Sequence, residues 1–159
     1  MWRIHPDRAA LAGFLILCLT VQLLGESLTN LSVKDWYPTL VKPSWTPPSW
    51  VFAVVWPILY FLMAIAAWLV YKNSHGHTRV RALNLFFMQL LLNLSWSLMF
   101  FALRSPLLGL VNLSLLLIAI VATLVAFWRI QRVAGYLLLP YLMWVIYAFT
   151  LNLGIWLLN

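Results

Sequence analysis

Five stretches of this chain, each about as long as a bilayer is thick, carry no Asp, Glu, Lys or Arg. They cover residues 9–25, 51–71, 82–103, 105–128 and 133–158. A helix needs about 20 apolar residues to cross the hydrocarbon core, so the first stretch is the shortest candidate and the others suffice. In lipid a segment must satisfy its own backbone groups, and a single apolar run does this as a helix. A membrane β-barrel would alternate in polarity every second residue, whereas these runs are apolar on both parities. The expected fold is an all-α membrane protein, a single domain (1–159) of five transmembrane helices joined by one long loop, 26–50.

Composition excludes the other classes. The chain is 65% hydrophobic and 8% charged, against roughly 45–50% and about 25% for a soluble domain. A soluble globular protein, a disordered tail and a nucleic-acid module are all ruled out. The net charge of +7 comes from basic residues at the ends of apolar runs, which points to membrane orientation rather than to nucleic acid. A lone cysteine, Cys18, excludes an internal disulfide and a CxxC metal site.

Five spans put the termini on opposite sides. The N-terminus, second loop and fourth loop hold seven Lys/Arg (Arg3, Arg8, Lys72, Arg79, Arg81, Arg129, Arg132), and the other side holds Lys34, Lys42 and Arg104. The positive-inside rule then places the N-terminus in the cytoplasm, which suits a bacterial cytoplasmic membrane. An outer membrane is the alternative, and the rule is silent there. The basic start of the first span resembles a signal peptide, but no A-x-A cleavage site follows, so the span is expected to be retained. Ser105-Pro106 reads as an N-cap with proline at the first helical position, and Pro47-Pro48-Ser49 serves similarly before the second span. Pro57 and Pro140 lie inside spans, where proline bends a helix.

The long loop contains Trp36, Tyr37, Trp45, Trp50 and four prolines. It reads as a stiff cap over the bundle, with an interfacial aromatic belt as the alternative; Trp2 and Trp128 fit a belt. No internal repeat supports an inverted-repeat transporter. The spans carry no ionisable acid or base of the kind that relays protons or senses voltage. His5, His75 and His77 fall in loops, so no axial haem ligand lies inside the bundle, and His75-Gly76-His77 reads as a solvated turn. No Ser/His/Asp arrangement is visible.

The interior is left with amides and aromatic rings. At 100° per residue, Gln89, Asn93, Trp96 and Phe100 share one stripe of the third span. Tyr141, Trp144, Ala148 and Asn152 share one on the fifth, and Phe52, Trp56 and Tyr60 one on the second. An amide in hydrocarbon seeks a partner, so Gln89 and Asn93 should face inward. Two readings stay open. The amides tie helices together, or they line an uncharged, aromatic-walled pocket suited to a flat apolar molecule.

The residues also carry a resemblance. The loop run Trp36-Tyr37-x-x-Leu40-x-Lys42-Pro43-Ser44-Trp45-x-Pro47-Pro48-x-Trp50-Val51-Phe52 leads into Val55-Trp56-x-x-x-Tyr60. The third span adds Gln89-x-x-x-Asn93-x-x-Trp96, and the fifth Pro140-Tyr141-Leu142-x-Trp144, Ala148 and Leu151-Asn152. Over residues 10–156 this resembles the translocator protein family, also called tryptophan-rich sensory proteins or peripheral-type benzodiazepine receptors. The resemblance implies a five-helix bundle, a homodimer, and ligands such as protoporphyrin IX, haem and synthetic isoquinoline carboxamides and benzodiazepines. No cofactor is required; porphyrin and haem enter as ligands. Carried over by motif, the pocket would include Pro47, Trp56, Gln89, Asn93, Trp144 and Ala148, with Trp36 and Tyr37 at lid positions; Tyr60 and Trp96 join from the stripes. The tyrosine and arginine that follow Leu-Asn in animal members are missing after Asn152, so the sterol site is not carried over, and a bacterial member is implied.

Three functions follow: a membrane receptor or sensor binding tetrapyrroles, an enzyme photo-oxidising porphyrin, or a ligand-free structural protein. The last expects Gln89 and Asn93 to be paired between helices with no void. Small-residue pairs Ala9/Gly13, Ala119/Thr123 and Ala122/Ala126 offer faces for a second copy.

Overall fold

The structure is a computed structural model and describes residues 6–159; Trp2, Arg3 and His5 lie outside the described residues. Five long helices make up almost the whole of it: α1 (Pro6–Thr29), α2 (Ser49–Asn73), α3 (Gly76–Ser97), α4 (Pro106–Ile130) and α5 (Arg132–Leu158). α3 runs on into one wide π turn, Leu98–Ala102. All five are long and apolar enough to cross a membrane. Among the described residues there is no strand.

The helices outrun the charge-free stretches. α1 continues past Glu26 to Thr29, and α3 starts at Gly76 and so includes Arg79 and Arg81. Charge limits how deep a residue sits in lipid, but it does not end a helix; Lys, Arg and Glu are good helix formers. The caps follow sequence more closely. Ser105 Oγ accepts from Leu108 N at 3.2 Å with Pro106 behind it. At α2 the cap position is Pro48, with no side-chain cap bond. Both α2 and α5 stay helical through Pro57 and Pro140.

The chain goes up and down through the bundle. The first loop, the α3–α4 turn and the end of α5 meet at one end. There Arg104 pairs with Asp35 at 2.8 Å, and the Asn159 side chain brackets Val41, accepting from its N at 3.0 Å and donating to its O at 2.9 Å. Near the other end Trp68 Nε1 donates to Asp7 O at 2.8 Å, joining α2 to α1. Gln131 alone links α4 to α5, and Gly135 lets α5 pass against Trp128, where a Cβ would overlap the ring.

The first span is a bundle member. Phe14, Cys18 and Val21 recur on one face and are buried, with Phe14 edge-on to Tyr71 of α2 (6.2 Å) and Phe86 of α3 (6.1 Å). Phe86 stacks in turn on Phe127 of α4 at 5.9 Å. The outside is apolar: Ile118 and Met143 are 68% exposed and Leu157 67%, a surface that belongs against acyl chains rather than water. The chain is an integral, multi-pass membrane protein. Ala9 and Gly13 lie on this outer surface. The Ala119/Thr123 pair does not: Thr123 is buried, its hydroxyl bonded to Ala119 O at 2.7 Å.

Candidate functional site in the bundle interior

The three polar and aromatic stripes turn inward. Gln89, Asn93, Phe100, Tyr60, Tyr141 and Asn152 are buried, and Phe52, Trp56, Trp96, Trp144 and Ala148 are partly so. Their polar atoms find one another. Tyr60 Oη donates to Asn93 Oδ1 at 2.8 Å, and Asn93 Nδ2 donates to Tyr141 Oη at 2.7 Å. Tyr141 Oη donates onward to Gln89 Oε1 at 2.7 Å, while Gln89 Nε2 points at Met63 Sδ, 3.7 Å away. This relay joins α2, α3 and α5. A second one joins α3, α4 and α5: Trp96 Nε1 donates to Asn152 Oδ1 at 3.1 Å, and Asn152 Nδ2 donates to Pro106 O at 2.7 Å. Gly109 permits it, since a Cβ there would come within 2.7 Å of Asn152 Oδ1.

Between the two relays lies an enclosed cavity walled by Trp56, Asn93, Trp96, Leu113, Leu116 and Val145 together with Ala148. Its volume is about 10 Å3, room for about one water molecule. The bundle is closed around an aromatic and amide wall rather than hollow. Gln89 and Tyr60 stand behind that wall in the first relay.

Trp144 differs from its neighbours. Its ring meets Phe52 of α2 edge-on at 5.6 Å and Tyr147 at 5.5 Å, but its buried Nε1–H has no hydrogen-bond partner among the described residues. Buried donors are nearly always paired, and leaving one unpaired costs about 1–3 kcal/mol.

The first loop closes one end as a lid. Trp36 and Tyr37 do not reach the cavity wall. They pack on the π turn, Trp36 edge-on to Phe100 at 5.6 Å and Tyr37 tilted on Phe101 at 5.6 Å. The π turn brings consecutive Phe100 and Phe101 both into the protein. Trp96 stacks on Phe100 at 5.3 Å and so connects the lid cluster to the cavity. Ser32 Oγ donates to Phe101 O at 2.7 Å, tying the lid to the same turn. Lys42 Nζ lies 4.7 Å over the Tyr37 ring, and burial pushes the Tyr37 phenol above its ordinary pKa. Pro47 is half-buried just before α2, outside the cavity wall.

Several residues of the site have weak sequence signals. Tyr141 stands on the fifth-span stripe, but its place between two amides at the centre of the first relay has no signal in the sequence. Met63 looks like ordinary core. Asn112 of α4, buried and donating to Leu92 O at 2.8 Å, had the signal of an amide in an apolar run, but no aromatic stripe accompanies it. Leu113 and Leu116 cannot be told from other leucines before the helices are packed.

Comparison with known proteins agrees with the geometry. Residues 14–157 match the model of the TspO/MBR family. The chain is 46% identical over 144 residues to the tryptophan-rich protein TspO of Chlorobaculum tepidum, covering 90% of this chain and 91% of that one. It is 41% identical over 150 residues to the protein of that name from Archaeoglobus fulgidus, covering 94% and 96%. It is 42% identical over 135 residues to the human translocator protein, covering 84% and 80%. A five-helix membrane bundle with an aromatic and amide interior, matched over nearly its whole length by this model and these relatives, belongs to the TspO/MBR family.

Proposed function

We propose that this protein is a membrane receptor or sensor that binds tetrapyrroles such as protoporphyrin IX and haem, and similar flat apolar molecules, inside the bundle. It moves them or reports on them as a homodimer in a bacterial cytoplasmic membrane with the N-terminus inside. The observation that carries this reading is the wall itself. Trp56, Trp96 and Asn93 converge with Ala148 on an uncharged cavity under a clamped lid, and Trp144 keeps an unpaired donor next to it. Indole faces supply stacking area, and an N–H beside them orients a carbonyl or ring nitrogen. A guest far larger than the present hollow needs the helices to part, and its binding would favour that wider arrangement.

One observation favours a second reading, a ligand-free structural role. The amides are already satisfied by Tyr60, Tyr141 and Trp96, and the cavity is only about 10 Å3. Photo-oxidation of porphyrin is the third reading. It gains nothing from Trp36 and Tyr37, whose rings are spent on Phe100 and Phe101.

Titration of protoporphyrin IX into the protein in lipid nanodiscs, followed by quenching of tryptophan fluorescence, separates the first two. The receptor reading expects saturation at one guest per chain, and displacement by a second flat aromatic ligand. A scaffold expects quenching that rises without saturation as porphyrin partitions into lipid.

A further inference from the structure

Two hollows flank the seam between α2 and α5. The inner one is the cavity walled by Trp56, Val145 and Ala148 among others. The outer one is an open groove of about 360 Å3 lined by Val55, Ile58, Leu59, Pro140, Met143 and Trp144. Ile58 and Met143 are 53% and 68% exposed, so the groove opens toward acyl chains. Val55 is the chain neighbour of Trp56, and Trp144 of Val145. The groove and the cavity thus lie against consecutive residues of the same two helices.

The seam is closed by side-chain packing rather than by hydrogen bonds. Among the described residues no hydrogen bond joins α2 to α5 directly; the buried tyrosines of both helices bond to α3. The seam's aromatic contact is Phe52 edge-on to Trp144. Because the Trp144 N–H has no partner, swinging this indole aside breaks no hydrogen bond. Both helices also carry a proline here, Pro57 beside Ile58 and Pro140 on the groove wall. Each proline removes a backbone donor and makes bending easier.

The lid end is built the opposite way. Ser32 holds Phe101 O, Tyr147 Oη donates to Trp45 O at 2.6 Å, Asn159 brackets Val41, and Arg104 pairs with Asp35. Gly154 brings Pro43 into contact so close that a Cβ would overlap it. Lifting the loop breaks several polar contacts at once, whereas the seam has no direct bond across it and is bridged only through Asn93 of α3, below the Phe52–Trp144 contact.

We infer that flat apolar guests reach the interior sideways from the bilayer, between α2 and α5, with Phe52 and Trp144 as the gate. This rests on the ligand-binding reading above. It is tested by mixing protoporphyrin IX rapidly with the protein in nanodiscs and following porphyrin emission. Ile58→Trp/Met143→Trp fills the groove mouth with lipid-facing side chains and leaves the cavity wall untouched; Ile58→Phe/Met143→Phe is the milder pair should the first fold poorly. Association and dissociation rate constants are both expected to fall by about tenfold while Kd stays nearly constant, a kinetic effect without an affinity effect. Asp35→Ala/Asn159→Ala loosens the lid and is expected to leave both rates unchanged. Saturable binding with rates indifferent to the groove pairs, or accelerated by the lid pair, overturns the lateral route alone. No saturable binding to the wild type overturns the ligand reading and the route together.

Discussion

Tyr141 and Trp144 stand three residues apart on α5, and burial treats them in opposite ways. Tyr141 Oη both accepts from Asn93 and donates to Gln89, while the Trp144 N–H does neither. Tyr141→Phe would orphan two amide atoms in hydrocarbon. It is expected to lower stability by about 1–2 kcal/mol in a reversible unfolding titration, since interhelical bonds in lipid are worth less than their partners' isolation suggests. Trp144→Phe removes a donor that gains nothing in the closed state. Lost packing then offsets the removed penalty, and the net change is expected to stay below about 1 kcal/mol in the same titration. A loss at Trp144→Phe as large as at Tyr141→Phe would mean that its N–H is paired after all. Gln89 and Asn93 were legible in sequence because an amide in an apolar run has few other reasons to be there. Their tyrosine partners stand on the inward stripes of the second and fifth spans, Tyr60 and Tyr141, but which amide each meets depends on how the helices pack and leaves no mark in the sequence.

Among the elements, spans are the most legible and loops the least. The charge-free stretches located all five helices because lipid forbids charge at depth. They missed the ends because helix continuation is decided by caps, not by charge. Ser105 is such a cap, and Ser105→Ala is expected to cost about 1 kcal/mol in the unfolding titration. The Trp- and Pro-rich loop packs over one end of the bundle, on the π turn and the end of α5. The placement of Trp36 and Tyr37 was not readable, because it depends on the π turn at Leu98–Ala102 presenting Phe100 and Phe101 side by side, and a one-residue widening of a helix leaves no mark in periodicity. Asn159 is one of the lid's attachments at the α5 end, beside Tyr147 and the Gly154–Pro43 contact. Asn159→Ala should speed hydrogen exchange at the Val41 amide severalfold, with the α2–α5 core amides unaffected; equal exchange in both proteins would show that the bracket does not hold the loop.

For the molecule as a whole, the inside and outside are graded by polarity in reverse of a soluble protein. Amides and tyrosine hydroxyls sit at the centre and leucine on the surface. The gradient was plain in the composition. What no pattern in the chain could give is the volume left between the stripes, which depends on how five helices pack. It is about 10 Å3, so the proposed binding of a flat guest requires the helices to part. Binding as proposed requires the indoles at the cavity and the seam to make the guest's contacts. The most direct measurement is the Kd of protoporphyrin IX for Trp56→Ala/Trp144→Ala beside that for Trp50→Ala/Trp156→Ala, whose rings are exposed at 65% and 43%. With stacking worth about 0.5–1.5 kcal/mol per ring beyond area, the inner pair should weaken binding by at least about tenfold and the outer pair should leave it near the wild-type value. Equal affinity in all three proteins would contradict the account.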